Sequence, residues 1–143
     1  MSDGLTQEVA RAADQLIATL QERTSGSLDY SEGSLAVIEE LLDEASNFAG
    51  DMSPEQLQGL SQDFGCYILE VARREFGGRY AWFEQRDQPV LVVGEPAFRV
   101  ALLAWDKVKG RLSGDKADNI PFFYSGFAER ARRATPGDDV LYV

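Results

Sequence analysis

Histidine is absent from the chain and cysteine occurs once in 143 residues. Losing histidine removes the commonest general base, the usual partner that activates a nucleophile, and the commonest metal ligand. Ser-His-Asp and Cys-His mechanisms cannot be built from one such chain. A lone Cys66 excludes an internal disulfide and any multi-cysteine zinc site. Long apolar runs are missing too. The longest, around Val90–Val93 and Val100–Trp105, fall far short of the roughly eighteen residues that mark a membrane span. The opening Met-Ser-Asp-Gly-Leu-Thr-Gln-Glu-Val lacks a basic stretch and an apolar core, so no signal peptide is expected and a cytoplasmic location is. No Walker or dinucleotide fingerprint occurs, Gly94-Glu95-Pro96 lacks the glycine spacing of a phosphate-binding turn, and no G-x-S-x-G elbow is present. No cofactor and no metal are expected.

Basic residues are scarce in one half. Residues 1–65 hold 13 acids and two bases, net −11, whereas residues 66–143 hold 11 acids and 12 bases, net +1, giving −10 in all. Between Thr24 and Ala72 there is no Lys or Arg, yet ten carboxylates occur. Such a surface repels a phosphate backbone, which excludes nucleic acid as a partner. It reads either as a solvated, solubilising face or as a docking face for a basic protein.

What remains is ordinary for a globular chain: 44% hydrophobic and 10% aromatic residues, with no repeat, low-complexity stretch or linker. One domain over 1–143 follows. Apolar residues at three- and four-residue spacing predict a first helix over 5–22, a detachable element ahead of the Ser25-Gly26-Ser27 loop. A second helix, capped by Asp29 with Glu32 or by Ser31 alone, carries Leu35, Ile38, Leu41, Leu42, Ala45 and Phe48 inward. Ser53-Pro54-Glu55-Gln56 is a helix start with cap, proline and capping-box glutamine, and Gly77-Gly78 stops that third helix.

From Arg79 the period changes to two. Residues 80–84 and 90–93 predict a hairpin across 79–93 with a polar turn over 85–89. A fourth helix is expected from Gly94-Glu95-Pro96 to about Ser113-Gly114, and a fifth from Asn119. The run 139–143 is expected to pair with the hairpin as a third strand. The fold class is therefore α+β: about five helices packed with a small antiparallel sheet of two to three strands.

Few residues invite chemistry. Cys66 lies beside the apolar stripe of the third helix with no base near it in sequence, which predicts a buried, inert thiol. Gly65, in mid-helix, costs about 1 kcal/mol against alanine, so another helix is expected to approach its backbone closely. Glu39/Asp43 and Glu40/Glu44 are spaced i,i+4 on the second helix and are expected to face solvent. Without histidine or an oxygen-rich loop they are weak metal candidates. Glu70 and Arg74 form an i,i+4 pair near Tyr67. If half-buried, Glu70 must be satisfied by Arg73, Arg74, Tyr30 or backbone amides, as a structural polar lock or a binding site.

Three segments carry a resemblance: Leu28-Asp29-Tyr30-Ser31 leading a helix; Gly65-Cys66-Tyr67-Ile68-Leu69-Glu70-Val71-Ala72-Arg73-Arg74; and Gly77-Gly78 before an aromatic strand. Their order resembles a family of small bacterial domains of unknown function with Leu-Asp-Tyr-Ser, Gly-x-Tyr-x-x-Glu-x-x-x-Arg and Gly-Gly-aromatic motifs. The likeness spans about residues 28–127. Leu69 stands where a small residue is common, and Trp82 lies further from Gly78 than the family's tryptophan. The resemblance implies an α+β domain in which Asp29, Tyr30, Tyr67, Glu70 and Arg74 are the polar positions to watch.

The function expected is a non-enzymatic protein-interaction domain of immunity or adaptor type, meeting a basic protein through Asp29 to Glu55. One alternative is a small hydrolase or lyase with Glu70 as base and Arg74 as anion clamp. The other is a homodimer formed through the first helix.

Overall fold

Ser53 and Pro54 start the helix on which everything else is assembled. The Gln56 N–H donates to Ser53 Oγ at 3.1 Å, and the Ser53 N–H donates to Gln56 Oε1 at 2.8 Å, closing both arms of the capping box. The structure is a computed structural model and describes residues 4–143. In it this helix, α4, runs Pro54–Phe76 and is buried on every side from Phe64 to Ala72. A helix apolar all round must be covered on several faces.

One cover is α1, Gly4–Thr19, which lays Val9, Ala13 and Leu16 on the core. The expected first helix thus spends its apolar stripe inside this chain. A short turn of helix, α2, follows at Gln21–Thr24. The second expected helix is α3, Leu35–Ser46. It is led by a 3₁₀ turn over Glu32–Ser34, whose Ser34 N–H donates to Ser31 Oγ, so Ser31 is the cap. Ile38 and Leu42 are fully buried, as the spacing predicts, but Phe48 is 58% exposed. It lies beyond the last helical turn and so escapes the helix's inward face.

Strands β1, Arg79–Phe83, and β2, Gln88–Val93, form the expected antiparallel hairpin. The next segment departs from expectation. Phe98–Leu102 is not the start of a helix; Arg99–Leu102 is a strand, β3, antiparallel to β2, and helix α5 begins only at Trp105 and ends at Leu112. Residues 100–104 are a continuous buried apolar run, and a run that short fits strand or helix equally well; the hydrogen bonds offered by β2 decide it. Upstream, the Phe98 ring folds over Gly94, where a Cβ would come within 2.0 Å of it, so a tight turn replaces the expected helix start.

Helix α6, Ile120–Arg133, starts as expected: the Phe122 N–H donates to Asn119 Oδ1 at 2.9 Å, with proline in the first turn. The closing strand β4, Asp139–Tyr142, pairs with β3 rather than with the hairpin, and runs parallel to it. The sheet therefore has four strands in the order β1-β2-β3-β4 and is mixed, not antiparallel. The crossover through α5 and α6 makes a parallel partner possible. The class is α+β, with six α-helices among the described residues packed with that sheet. Among the described residues no helix is long and apolar enough to cross a membrane.

Candidate functional site

Near its carboxyl end, α4 gathers four of the five residues singled out by the resemblance. Tyr30 has a left-handed backbone, φ 65°, and stacks on Tyr67 with ring centroids 4.9 Å apart. Its N–H donates to the Tyr67 hydroxyl at 2.9 Å, which also shares a 2.7 Å hydrogen bond with the Ser34 hydroxyl. The Tyr30 hydroxyl donates to Asp14 Oδ1 at 2.6 Å, and the Arg74 guanidinium sits 3.7 Å from the Tyr30 ring centroid. Burial, aided for Tyr30 by Asp14, pushes both phenols up, so neither is a phenolate near neutral pH. Asp29 is separate: it accepts from the Ser31 N–H and hydroxyl, which hold its carboxyl below the usual range.

Glu70 is fully buried and its two oxygens are taken. Arg73 donates to both, Nε to Oε2 at 2.6 Å and Nη2 to Oε1 at 2.8 Å, and the Tyr80 hydroxyl donates to Oε2 at 2.8 Å. The fork is Arg73; Arg74, the expected partner, stands off at 3.8 Å from Oε1. Tyr80, from the neighbouring strand, is the partner that sequence spacing missed. The Glu70 hydrogen bonds push the Arg73 pKa up despite its burial, and burial and then Glu70 push Tyr80 up. The arrangement is a neutral-overall, hydrogen-bonded lock between α4 and β1, in which each carboxylate oxygen is engaged.

The acidic helix face divides in two. Both Glu39 and Asp43 clamp Arg111 of α5, whose Nε donates to Glu39 Oε2 and whose Nη2 donates to Asp43 Oδ1, both at 2.6 Å; Glu39 is thereby turned inward, against expectation, while Asp43 stays exposed as expected. Glu39 Oε1 also accepts the Ile120 N–H at 3.0 Å, at the head of α6. Arg111 is almost wholly buried, and a buried guanidinium requires such partners. Burial opposes its charge, but the two carboxylates outweigh it and raise its pKa, while Arg111 lowers that of Asp43. Glu40 and Glu44 are exposed as expected, Glu44 beside Arg23.

Cys66 is buried, and burial pushes its thiol up to about 12. At Gly65 the expected close approach is found: a Cβ there would lie 2.4 Å from Trp105 Cδ1 and 3.1 Å from its Cα. The crossing of α4 and α5 rests on that gap and seats Trp105. Beside it opens a cleft of about 560 Å³ between the start of α4, the hairpin tip and the first turns of α5. No sequence reading pointed to it. Gly65 was the one local signal, and it marks the crossing rather than the cleft. Among the described residues no group of three His, Cys, Asp or Glu side chains is placed to hold a metal ion.

Comparison of the chain with protein-family models, curated proteins and solved structures finds no match in any of the three.

Proposed function

We propose that this chain is a non-enzymatic protein-interaction domain, of immunity or adaptor type, that receives a basic partner on the surface running from the end of α3 to the start of α4. The observation that supports this reading is Phe48. A large aromatic side chain, 58% exposed, sits in a stretch whose exposed carboxylates Glu40, Asp51 and Glu55 have no cation of their own among the described residues. An aromatic anchor ringed by one sign of charge is how interfaces combine a desolvated centre with electrostatic steering. Glu39 is withdrawn from this surface and Asp43, still exposed, has its charge answered by Arg111, so the unpaired acidic face is smaller and shifted toward Phe48.

The test is capture from native cells with the wild-type chain and with Phe48→Ala and the triple variant Glu40→Gln, Asp51→Asn, Glu55→Gln. A protein retained by the wild type and lost by both variants supports the reading. Association with that partner should slow as salt is raised. Equal capture by all three chains, or a salt-independent rate, overturns it.

A catalytic role for Glu70 and Arg74 has one observation behind it: the Arg74 guanidinium lies 3.8 Å from Glu70 Oε1 and 3.7 Å from the Tyr30 ring centroid. It requires the Arg73 fork to open, so Glu70→Gln abolishing turnover of some small molecule by the pure protein is its test.

A further inference from the structure

We propose that the cleft between Trp82 and the start of α4 is a binding site for a neutral saccharide, a site that adjoins the acidic docking surface at the start of α4. The volume, about 560 Å³, suits one or two sugar rings. Trp82 and Trp105 meet edge to face, with centroids 6.1 Å apart and planes at 80°, and Trp82 is 45% exposed. This leaves one indole for a ring to lie on rather than a parallel slot for a flat base. Met52, Pro54 and Leu57 line the cleft as well, giving it an apolar wall for the C–H face of a sugar.

The polar groups of the cleft are short of partners. Gln88 is buried and its Oε1 accepts nothing; its Nε2 makes one long hydrogen bond, 3.4 Å, to the Arg86 carbonyl. The Trp105 indole N–H has only the Cys66 thiol beside it, a weak acceptor. Of the three buried side-chain polar atoms left unpaired among the described residues, Gln88 Oε1 and the Trp105 indole nitrogen come from residues that line this cleft, the indole N–H on the side toward Cys66; the third is an Arg111 nitrogen. Gln58, exposed, and Gln62, partly buried, add their amides to the lining and have no side-chain partner among the described residues. A ligand that fits must donate and accept at once, as vicinal hydroxyls do.

Charge argues for neutrality. Arg86 is bonded to Asp106 at 3.0 Å, which leaves Asp87 and Lys109, one of each sign. Within the lining itself the charges therefore balance, which favours a neutral ligand.

The protein's only two tryptophans line this cleft, so its whole indole emission reports on it. The intact chain is titrated with glucose, galactose, N-acetylglucosamine and their disaccharides, with adenosine and a neutral tetrapeptide as further arms, by emission and by calorimetry. Saturable binding of at least one saccharide is expected, weakened about tenfold or more by Trp82→Ala and by Gln88→Leu, with circular dichroism confirming that both variants fold. Gln62→Ala, at a half-exposed position, serves as a third variant and is expected to weaken binding by about threefold. The proposal is overturned if no saccharide saturates, if binding is unchanged in the folded variants, or if adenosine or the peptide binds where saccharides do not.

Discussion

The two ends of α4 treat polar side chains in opposite ways. Toward the carboxyl end, Glu70, Arg73 and Tyr80 close on one another, and Tyr67 is satisfied by Ser34 and the Tyr30 backbone. Toward the amino end, the facing Gln88 is buried with its Oε1 unpaired, and Gln58 and Gln62 line the same cleft without a side-chain partner among the described residues. Buried polar groups in folded proteins are nearly always paired, so a saturated cluster signals architecture and an unsaturated one signals a vacancy for something else. The charged motif that draws the eye in the sequence is on the architectural side of that division, and the quieter amides are on the other.

That contrast can be broken by mutation. Glu70→Ala strands Arg73 and the Tyr80 hydroxyl and is expected to cost about 3–5 kcal/mol in urea or guanidinium unfolding; a cost under about 1 kcal/mol means the lock is not closed. Gly65→Ala drives a Cβ into Trp105 and is expected to cost about 1–3 kcal/mol net, since better helix propensity only partly offsets overpacking. A stabilised variant would show that α5 is free to move.

The thiol between the two regions sharpens the comparison through pH. Burial raises its pKa from an ordinary 9.0 to about 12, so the folded state keeps a proton that the unfolded chain releases. That contribution is fully present below pH 9 and is lost as pH rises toward 12, amounting to about 1 kcal/mol by pH 10. Cys66→Ala should flatten this part of the stability profile, and wild-type thiol should resist a disulfide reagent at pH 8 until denaturant is added. The smallest effect belongs to the cleft: Trp82→Ala should change stability by about 1 kcal/mol or less, because the side chain is half exposed. A larger loss would place Trp82 among the structural residues.

Sequence rules reached the elements that short-range chemistry dictates. Ser53, Pro54 and Gln56 start α4, Asn119 caps α6, and Gly65 marks a close crossing, because each signal acts within a few residues of its effect. They failed where a distant partner decides. Strand β3 is a strand because β2 and β4 flank it. Arg111 finds acceptors on a helix far upstream, which turned the supposedly solvated Glu39 inward and gave the still exposed Asp43 a partner. Tyr80 completes the Glu70 lock from a different element, and the cleft joins Trp82, Gln88 and Trp105 from β1, β2 and α5. Gln88 reads as a turn residue in sequence, yet it opens β2 and is buried there.

Arg111 and Arg132 reach back from the later part of the chain to Glu39, Asp43 and Glu32. The polypeptide thereby supplies its own counterions: the cations missing from the early segment arrive with the later one and are anchored rather than diffuse. Replacing Arg111 with a shape-matched neutral side chain would return two neighbouring anions on α3 to the surrounding electrolyte, and the molecule would then acquire a dependence on potassium or sodium concentration that its present form is spared.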